Sequence, residues 1–315
     1  MSFLQIASWN IEHLSGQPRA KRKQSAYALA DHIEMAGIDL LVLQEIYVTA
    51  LDEEVRLSDS QPVIVSRAHT GSRRNSDLDV VCYLLEEHLD VPWNYFILPN
   101  RQAGDGSQLC AVLWNTQRLT IGEIKPLDVK HTDGDYRLWD RKPHLIHFKT
   151  EIEVWRRSEN GEWTKQTENR TISVIPLHMK SNYGGVTINR IVRAKEAETL
   201  CEAIDRIRDS IDPSLILLGD TNILRNDEPA IETFVTRGFV DLNNNDAATY
   251  WSKDYNEAPF DRIFVPRGRP EFKYSRQYVL RSSDLTSHDR FLSDHYMIKI
   301  SVKDYVDDAD PRREP

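Results

Sequence analysis

Eight polar side chains stand at the ends of apolar stretches in this 315-residue chain. Carboxylate and amide oxygens are ligands that Mg²⁺ prefers, and a histidine can act as a general base or stabilise charge on phosphoryl oxygens. A carboxylate beside a histidine also fixes the tautomer of its ring. Together the eight predict metal-assisted hydrolysis of a phosphoester. They are Asn10, Glu45, His178, Asp220, Asn222, Asp261, Asp294 and His295.

Each of these residues also has a purely structural interpretation. Asn10 could be an ordinary turn or cap residue, and Glu45 a solvated residue after a strand. Asp220 and Asn222 could form a simple Asx turn. His178 could be an inert, hydrogen-bonded histidine of the core. Only the combination of residue types favours a catalytic site.

The first half of the chain predicts a strand, a helix and a second strand. Phe3–Asn10 is a short apolar strand, and the helix runs from about residue 18 to residue 36, where Gly37 ends it. Residues 39–44 form a continuous apolar run, which is typical of a strand buried on both faces. That strand ends at Glu45.

The second half repeats this order. Residues 171–177 form a strand that ends at His178, and a helix spans residues 187–211. Residues 214–218 form another buried strand that leads into Asp220. An apolar stripe along the helix is predicted to face the core and consists of Ile188, Ile191, Leu200, Ile204, Ile207 and Ile211. Both halves place polar residues just beyond strand ends. This indicates that the two halves share one architecture and that their polar residues lie along one edge of the fold.

A long β-hairpin is predicted between the two halves. Residues 144–155 alternate in hydrophobicity, Asn160-Gly161 is a strong turn signal, and the partner strand begins at Trp163. Trp155 and Trp163 could stack nucleic-acid bases or pack within the hairpin. Further elements are predicted as a helix at 78–89 and strands at 95–98, 109–114, 262–265 and 296–302. The pattern as a whole indicates an α/β fold with two mixed sheets and helices outside.

Composition limits the possible classes of protein. Hydrophobic residues make up 40% of the chain, enough for a sizeable core, and the formal net charge is −9, which argues against a basic protein that coats nucleic acid. The 3 Cys are widely spaced, so neither a disulfide framework nor a cysteine zinc site is expected. There is neither a signal-like N-terminus nor an apolar run of transmembrane length. We therefore expect a cytoplasmic protein with one domain at 1–303 and a charged tail at 304–315.

Seven stretches resemble motifs of the endonuclease/exonuclease/phosphatase superfamily, which includes deoxyribonuclease I-like and exonuclease III-like enzymes. They occur in the family's order and span about residues 3–302. The stretches are SWNIEHL (8–14), LLVLQEI (40–46), DRKP (140–143), PLHMKSN (176–182), LLGDTN (217–222), FDRIFVP (260–266) and SDHYMI (293–298). The resemblance implies a four-layer α/β sandwich of two mixed β-sheets flanked by helices.

The resemblance also implies roles for the eight residues. Glu45 would be the main ligand of Mg²⁺, with Mn²⁺ as a second option, and Asn10 and Asp294 would lie nearby in the metal and phosphate shell. Asp220 and Asn222 would position or activate the attacking water and hold the phosphate. For the two histidines, His178 would donate to a non-bridging phosphate oxygen, and His295 would be oriented by Asp261. Whether His295 or Asp220 takes the proton of the water stays open.

Three further residues are expected to bind substrate. Arg141 matches a family position that contacts substrate phosphate, and Lys180 and Asn182 follow His178 closely. Basic clusters at 19–23, 73–74 and 156–157 could contact a phosphate backbone, although solvated faces are the simpler interpretation. The competing pair His288-Asp289 is predicted to lie in a polar loop and to be non-catalytic.

Two departures from the family pattern affect the prediction of substrate. Thr221 replaces the usual aromatic residue between Asp220 and Asn222. Arg262 follows Asp261 where nucleases often carry Tyr or His, and this Asp-Arg pair resembles that of inositol-polyphosphate phosphatases.

We therefore expect a divalent-metal-dependent phosphodiesterase, in the first place a DNA nuclease. The alternative is a phosphatase or phospholipid phosphodiesterase that acts on an inositol phosphate, sphingomyelin or another small phosphoester. A catalytically silent binding protein is disfavoured because all eight residues are retained. The sequence makes no prediction of the oligomeric state.

Overall fold

The computed structural model describes residues 3–15, 24–49, 55–58, 61–63, 73–100, 108–158, 160–208, 214–251 and 257–303. Within them, two six-stranded mixed sheets pack face to face with helices on their outer faces. This confirms the predicted α/β class and the four-layer sandwich. The tail at 304–315 and the basic cluster at 19–23 lie outside the described residues.

Sixteen strands and five α-helices are described, in the following order along the chain: β1 Phe3–Leu14, α1 Ala26–Ala36, β2 Leu40–Ile46, β3 Val55–Ser58, β4 Gln61–Val63, α2 Ser76–Leu89, β5 Trp93–Ile97, β6 Leu109–Asn115, β7 Thr120–Pro126, β8 Thr132–Asp133, β9 Tyr136–Arg137, β10 His144–Arg157, β11 Trp163–His178, α3 Val186–Arg206, β12 Leu215–Asp220, α4 Pro229–Thr236, β13 Phe239–Asp241, β14 Asp261–Pro266, β15 Tyr278–Leu280, α5 Leu285–Phe291 and β16 Met297–Lys303.

The two sheets share one central arrangement. The first has the order β15-β16-β1-β2-β6-β5, and the second has the order β13-β14-β12-β11-β10-β7. In the first sheet β1 and β2 are parallel neighbours joined by α1, and in the second β11 and β12 are parallel neighbours joined by α3. Antiparallel strands flank both pairs. The duplication predicted from the strand–helix–strand order is thus present in the fold.

Alternating side chains of the central strands form three core layers. In β2, Leu41 and Leu43 pack against α1 and α2, whereas Leu40 and Val42 point into the space between the sheets. The same alternation in β12 sends Leu217 towards α3 and Leu218 between the sheets. Because both faces of these strands are covered, their sequences read as continuous apolar runs.

The central helices differ from their predicted bounds. Ser25 lies in extended conformation and its side chain caps α1, so the helix begins at Ala26 and not near residue 18. The predicted stop at Gly37 is confirmed by its left-handed φ of 58°. The α3 helix ends at Arg206, five residues before the predicted end.

The predicted hairpin is confirmed, but it extends away from the candidate site residue His178. β10 and β11 stay paired out to Arg157 and Trp163, whereas their neighbours β7 and β12 reach only Lys149 and Ser173. Beyond those two residues the hairpin is a two-stranded ribbon. Trp163 is fifteen residues before His178 on β11, about 50 Å away at roughly 3.3 Å per residue. The ribbon therefore cannot stack bases beside a phosphate held at His178.

Several features were missed or misplaced by the sequence patterns. The strand β7 and the helix α4 were not predicted, and His288 lies buried in α5 instead of in a polar loop. All 3 Cys are buried and free of disulfides, as expected. Among the described residues, no helix combines the length and the hydrophobicity needed to span a bilayer.

Candidate active site

The predicted site residues meet at one end of the sandwich, which we call the polar edge. Asn10 and Glu45 stand near the carboxyl ends of β1 and β2, and His178 and Asp220 end β11 and β12. Asp261, at the start of the antiparallel β14, is the register partner of Asp220. Carboxyl ends of parallel strands in an α/β sheet are a common place for ligand sites.

Unusual backbone conformations redirect the chain at this edge. Gly219 has φ 149°, and a Cβ atom there would lie 2.0 Å from the carbonyl oxygen of Leu177, so only glycine allows this approach of β12 to β11. Glu45 and Asn222 have left-handed φ values of 63° and 54°. Non-glycine residues in this region cost free energy, and such residues cluster at functional sites.

Asn10 joins the two carboxylates of the site. Its Nδ2 donates to Asp220 Oδ2 at 2.9 Å and to Glu45 Oε1 at 3.3 Å, and its Oδ1 accepts from the backbone N–H of Glu12 at 3.0 Å. In this arrangement the amide nitrogen, not the oxygen, faces the carboxylates. The geometry gives Asn10 the role of holding the carboxylates in place, and the ligand role expected from the sequence stays a prediction.

Asp220 is held at the centre of the polar edge. The backbone N–H of Asn222 donates to Asp220 Oδ1 at 2.9 Å. Burial raises the pKa of Asp220 to about 7, and the nearby carboxylate of Asp261 acts in the same direction, while His295 opposes both. The Asn222 side chain donates to the carbonyl oxygen of Met179 at 3.3 Å.

A histidine–carboxylate pair lies beside Asp220. His295 Nδ1 is 2.8 Å from Asp261 Oδ2, and Thr249 Oγ1 donates to the same oxygen at 2.7 Å. Burial disfavours the charged ring, but the carboxylates of Asp261, Asp294 and Asp220 outweigh it and raise the pKa of His295 well above its ordinary value. His295 and Asp261 are thus in contact, and the catalytic role expected for the pair stays a prediction. The contact leaves Nε2 of the ring directed away from Asp261.

His178 faces both carboxylates without touching them. Its Nε2 lies 4.0 Å from Glu45 Oε1 and 3.9 Å from Asp220 Oδ2. Burial, together with the charges of Arg141 and His295, lowers the pKa of His178 well below its ordinary value. A neutral imidazole here can donate one N–H to a group placed between the carboxylates.

The three expected substrate-binding residues have different surroundings. Arg141 lies close enough to His178 to influence its pKa and bonds to Gln108 Oε1. Lys180 Nζ lies 3.3 Å from Asp140 Oδ2 and is partly exposed. Asn182 is occupied within the protein, because Nδ2 donates to the carbonyl oxygen of Asn222 at 2.8 Å and Oδ1 accepts from a guanidinium. Its substrate contact stays a prediction.

Two charged residues of α3 brace the loops of the polar edge, and sequence reasoning missed both. Arg193 donates to the carbonyl oxygen of Lys180 and to Asn182 Oδ1, while Glu196 accepts the backbone N–H groups of Trp139 and Lys180. Both are buried. The predicted apolar stripe is wrong for this part of α3, where Ile188 and Ile191 are exposed. Loops with unpaired backbone groups need polar partners, and the charged side chains supply them.

Arg262 does not face the polar edge. It is fully buried and forms ion pairs with Asp241 at 2.5 Å and Asp246 at 2.6 Å. Neighbouring residues of a strand point to opposite faces, so the Arg262 side chain points away from that of Asp261. Arg262 therefore does not contribute its side chain to the polar edge, and the resemblance of the Asp-Arg pair to inositol-polyphosphate phosphatases stays one of sequence.

The remaining polar residues complete the surroundings of His295. Its carbonyl oxygen accepts from Trp9 Nε1 at 2.9 Å and lies 3.0 Å from His288 Nε2. His288 thus contacts the backbone of His295, and its predicted non-catalytic role stays a prediction. Asp294 Oδ1 lies 4.0 Å from His295 Nε2. No sequence signal singled out Thr249 or Trp9.

The polar edge has the donor set of a divalent-cation site. Glu45 Oε2 is buried and makes no hydrogen bond among the described residues, so a carboxylate oxygen is available to a cation. A separate group of possible ligands, Asp31, Glu34 and His88, lies on the exposed faces of α1 and α2. The polar edge joins four carboxylates, two histidines and two amides, which suits hydrolysis of a phosphoester.

Comparisons with known proteins agree on family and fold. The model of the Endonuclease/Exonuclease/phosphatase family matches residues 7–295. No curated protein sequence matches significantly.

Solved structures with the same fold include the following three. An endonuclease/exonuclease/phosphatase family protein from Bacteroides thetaiotaomicron has 16% identity and a TM-score of 0.56, with 96% of this chain and 99% of that one covered. D. rerio TDP2 complexed with a single-strand DNA product has 14% identity and a TM-score of 0.52, with 96% and 100% covered. The mannosyl-6-phosphatase of B. thetaiotaomicron has 14% identity and a TM-score of 0.53, with 95% and 100% covered.

Proposed function

Because the chain belongs to the endonuclease/exonuclease/phosphatase family of phosphoester hydrolases, we propose that it is a divalent-metal-dependent phosphodiesterase that cleaves DNA. One observation carries the proposal. The His295–Asp261 pair and the carboxylates of Glu45 and Asp220 share one buried polar edge, joined by Asn10. Groups for proton transfer and groups for binding a cation therefore surround the same space.

The side chains would divide the reaction as follows. Asp220 holds a water through its carboxylate and accepts its proton as the water attacks the phosphorus in line with the leaving oxygen. The bond between phosphorus and the leaving oxygen breaks, and that oxygen takes a proton from solvent. His178 donates its Nε2–H to a non-bridging phosphate oxygen, and His295 Nε2 stabilises the charge that develops on the phosphoryl group. Asp261 keeps the ring of His295 in the required orientation. Asn222 fixes Asp220 through its backbone N–H.

A bound Mg²⁺ or Mn²⁺ would neutralise the negative charge of the substrate phosphate. Glu45 would hold it through the carboxylate oxygen that makes no hydrogen bond among the described residues, with Asn10 and Asp294 nearby. Arg141 and Lys180 would contact the flanking phosphates, and Asn182 would act with them from its place beside Asn222. The predicted cytoplasmic location stays a prediction.

DNA is the favoured substrate on one ground. D. rerio TDP2, a structure of the same fold, is complexed with a single-strand DNA product.

Hydrolysis of a phosphomonoester or a phospholipid is the second candidate. The mannosyl-6-phosphatase of B. thetaiotaomicron is as similar to this chain as TDP2 is. In the two candidate reactions the leaving oxygen belongs to different groups: a nucleotide in DNA, and a sugar, inositol or lipid in the alternative substrates. A comparison of kcat/KM between these substrates therefore distinguishes the candidates.

A substrate panel tests the proposal. Values of kcat/KM would be measured with labelled single-stranded and duplex DNA, mannose 6-phosphate, inositol phosphates and sphingomyelin, each with Mg²⁺, Mn²⁺ or EDTA. We expect DNA cleavage that EDTA abolishes, that His295→Ala reduces and that the exposed His88→Ala leaves unchanged. Turnover of a phosphomonoester or sphingomyelin without DNA cleavage would replace the nuclease proposal with the second candidate.

A further inference from the structure

His13 lies beside Glu45, on the side away from Asp220, and has no part in the reaction described above. It follows Asn10 by three residues, where the pairing of β1 with β2 shifts register. Glu12 and His13 both have left-handed φ values, 50° and 59°. Strained conformations of non-glycine residues concentrate at functional sites, and here they turn the imidazole towards the carboxylate.

The distance between the two side chains suits two ligands of one cation. His13 Nε2 lies 3.3 Å from Glu45 Oε2, the oxygen that makes no hydrogen bond among the described residues. Nitrogen and oxygen ligands stand about 2.0–2.2 Å from a divalent transition metal. Two neighbouring ligands of such an ion are therefore roughly 3.0–3.5 Å apart, given those bond lengths.

A hydrogen-bond partner orients the ring for this role. Tyr47 Oη lies 2.9 Å from His13 Nδ1, the nitrogen that points away from Glu45, and Gln108 Nε2 lies 3.1 Å from Nδ1 and 3.4 Å from Nε2. Tyr47 Oη can accept the Nδ1–H of the tautomer whose Nε2 binds a metal, whereas the Gln108 amide group must turn away from the ring when the cation binds. The side chain of His13 is 43% exposed, so a cation in solution can reach it.

We propose that His13 Nε2 is a ligand of the same cation as Glu45 Oε2, so that the polar edge selects a transition metal such as Mn²⁺ or Co²⁺ over Mg²⁺. Imidazole is a good ligand for transition metals, whereas Mg²⁺ favours oxygen ligands and retains its waters. This inference rests on the proposed function in one respect, the binding of the cation by Glu45. It adds a ligand that the sequence pattern did not indicate.

Direct metal binding tests the inference without any activity assay. Every protein in the test carries His88→Gln, which weakens the separate ligand group on α1 and α2. His13→Asn is the informative variant, because an asparagine nitrogen can still reach Tyr47 whereas nothing replaces Nε2. Mn²⁺ affinity would be measured by the electron paramagnetic resonance of free Mn²⁺, Mg²⁺ affinity by competition, and nitrogen ligation by ¹⁴N spin-echo modulation.

The expected results distinguish this inference from the proposed function. In His13→Asn we expect the ¹⁴N modulation to disappear and Mn²⁺ affinity to fall about tenfold or more, with Mg²⁺ affinity changed much less. Unchanged Mn²⁺ affinity and modulation in His13→Asn, with binding lost in Glu45→Gln, would overturn the inference alone. Absence of Mn²⁺ binding in the parent protein would overturn both the inference and the metal dependence of the proposed function.

Discussion

At the scale of single residues, the side chain that orients His295 is the sharpest feature of the site. Asp261 accepts from His295 Nδ1 and from Thr249 Oγ1 through the same oxygen, and its backbone N–H donates to Thr249 Oγ1 at 2.8 Å. Asp261 and His295 could be predicted from the sequence, because each adjoins an apolar run within a family motif. Thr249 could not, since its partner is twelve residues away and no pattern links the two.

Asp261→Asn should lower kcat for phosphodiester cleavage by a factor on the order of 10² to 10⁴, the usual contribution of general acid–base groups. An amide can still contact the ring, but it cannot stabilise the charged form of His295 or hold one tautomer. KM should change by only a few-fold because no substrate contact is removed. Steady-state kinetics on a DNA substrate would measure both constants.

Thr249→Val serves as the graded control for that change. It removes the hydrogen bond that Thr249 Oγ1 donates to Asp261 Oδ2 and the one that it accepts from the Asp261 backbone N–H. Because the carboxylate stays on the ring of His295, it should cost much less in kcat than Asp261→Asn. Equal losses in the two variants, or a loss below tenfold in Asp261→Asn, would argue against this orientation of His295.

At the scale of elements, the sequence predicted the central strands better than the bounds of the central helices. Continuous apolar runs such as that of β2 identify strands covered on both faces, because every residue needs an apolar side chain. The stripe along α3 was misassigned, since its first turns carry Arg193 and Glu196 inward to the backbone of two loops. Periodicity reports hydrophobic burial and is silent on buried charges whose partners are distant in sequence.

Gly219→Ala should destabilise the protein by about 2 kcal/mol or more, because the new Cβ combines an unfavourable φ with a backbone clash. The clash is with the Leu177 carbonyl oxygen, which would lie 2.0 Å from the added Cβ atom. Gly238→Ala is the matched control, since its φ is 92° but no atom lies within 4 Å of its Cβ position. Urea unfolding should show the larger loss for Gly219→Ala. Similar losses would mean that the close approach of β11 and β12 is not required.

At the scale of the whole molecule, the net charge of the protein is negative, whereas a DNA-binding site needs positive charge. The protein carries a formal charge of −9, which opposes approach of a polyanion. Arg141, Lys180 and the cation expected at Glu45 would supply the positive charge that a substrate phosphate meets at the polar edge. The two-sheet architecture and the position of this edge could be predicted from the sequence and the family motifs. The direction in which the hairpin projects from the sheet could not be predicted. The length of a strand does not show which of its two ends extends beyond the neighbouring strands.

His144 should make a pH-dependent contribution to the stability of the whole molecule. Burial lowers the pKa of His144 to about 4 from an ordinary value of 6.5, so between these values the unfolded chain binds a proton that the folded chain does not. The contribution of His144 to the free energy of unfolding therefore decreases as pH falls through this window. From pH 7 to pH 5 the contribution of His144 is about 2 kcal/mol.

His144→Asn keeps a donor for the carbonyl oxygen of Lys142, which the ring meets at 2.9 Å, but removes the titrating group. Urea unfolding of both proteins at pH 7 and pH 5 would measure the effect. The variant should lose about 2 kcal/mol less than the parent on acidification. The same loss in both proteins would exclude His144 as the group responsible.

The central claim is that the polar edge hydrolyses phosphodiester bonds with a divalent cation, and plasmid nicking tests it most directly. Supercoiled plasmid would be incubated with the purified protein in Mg²⁺, Mn²⁺ or EDTA, beside His295→Ala under the same conditions. We predict nicking with either metal, none with EDTA, and a rate lower by a factor on the order of 10² to 10⁴ in His295→Ala. Nicking that persists in EDTA or at full rate in His295→Ala, or no nicking by the folded protein, would contradict the claim.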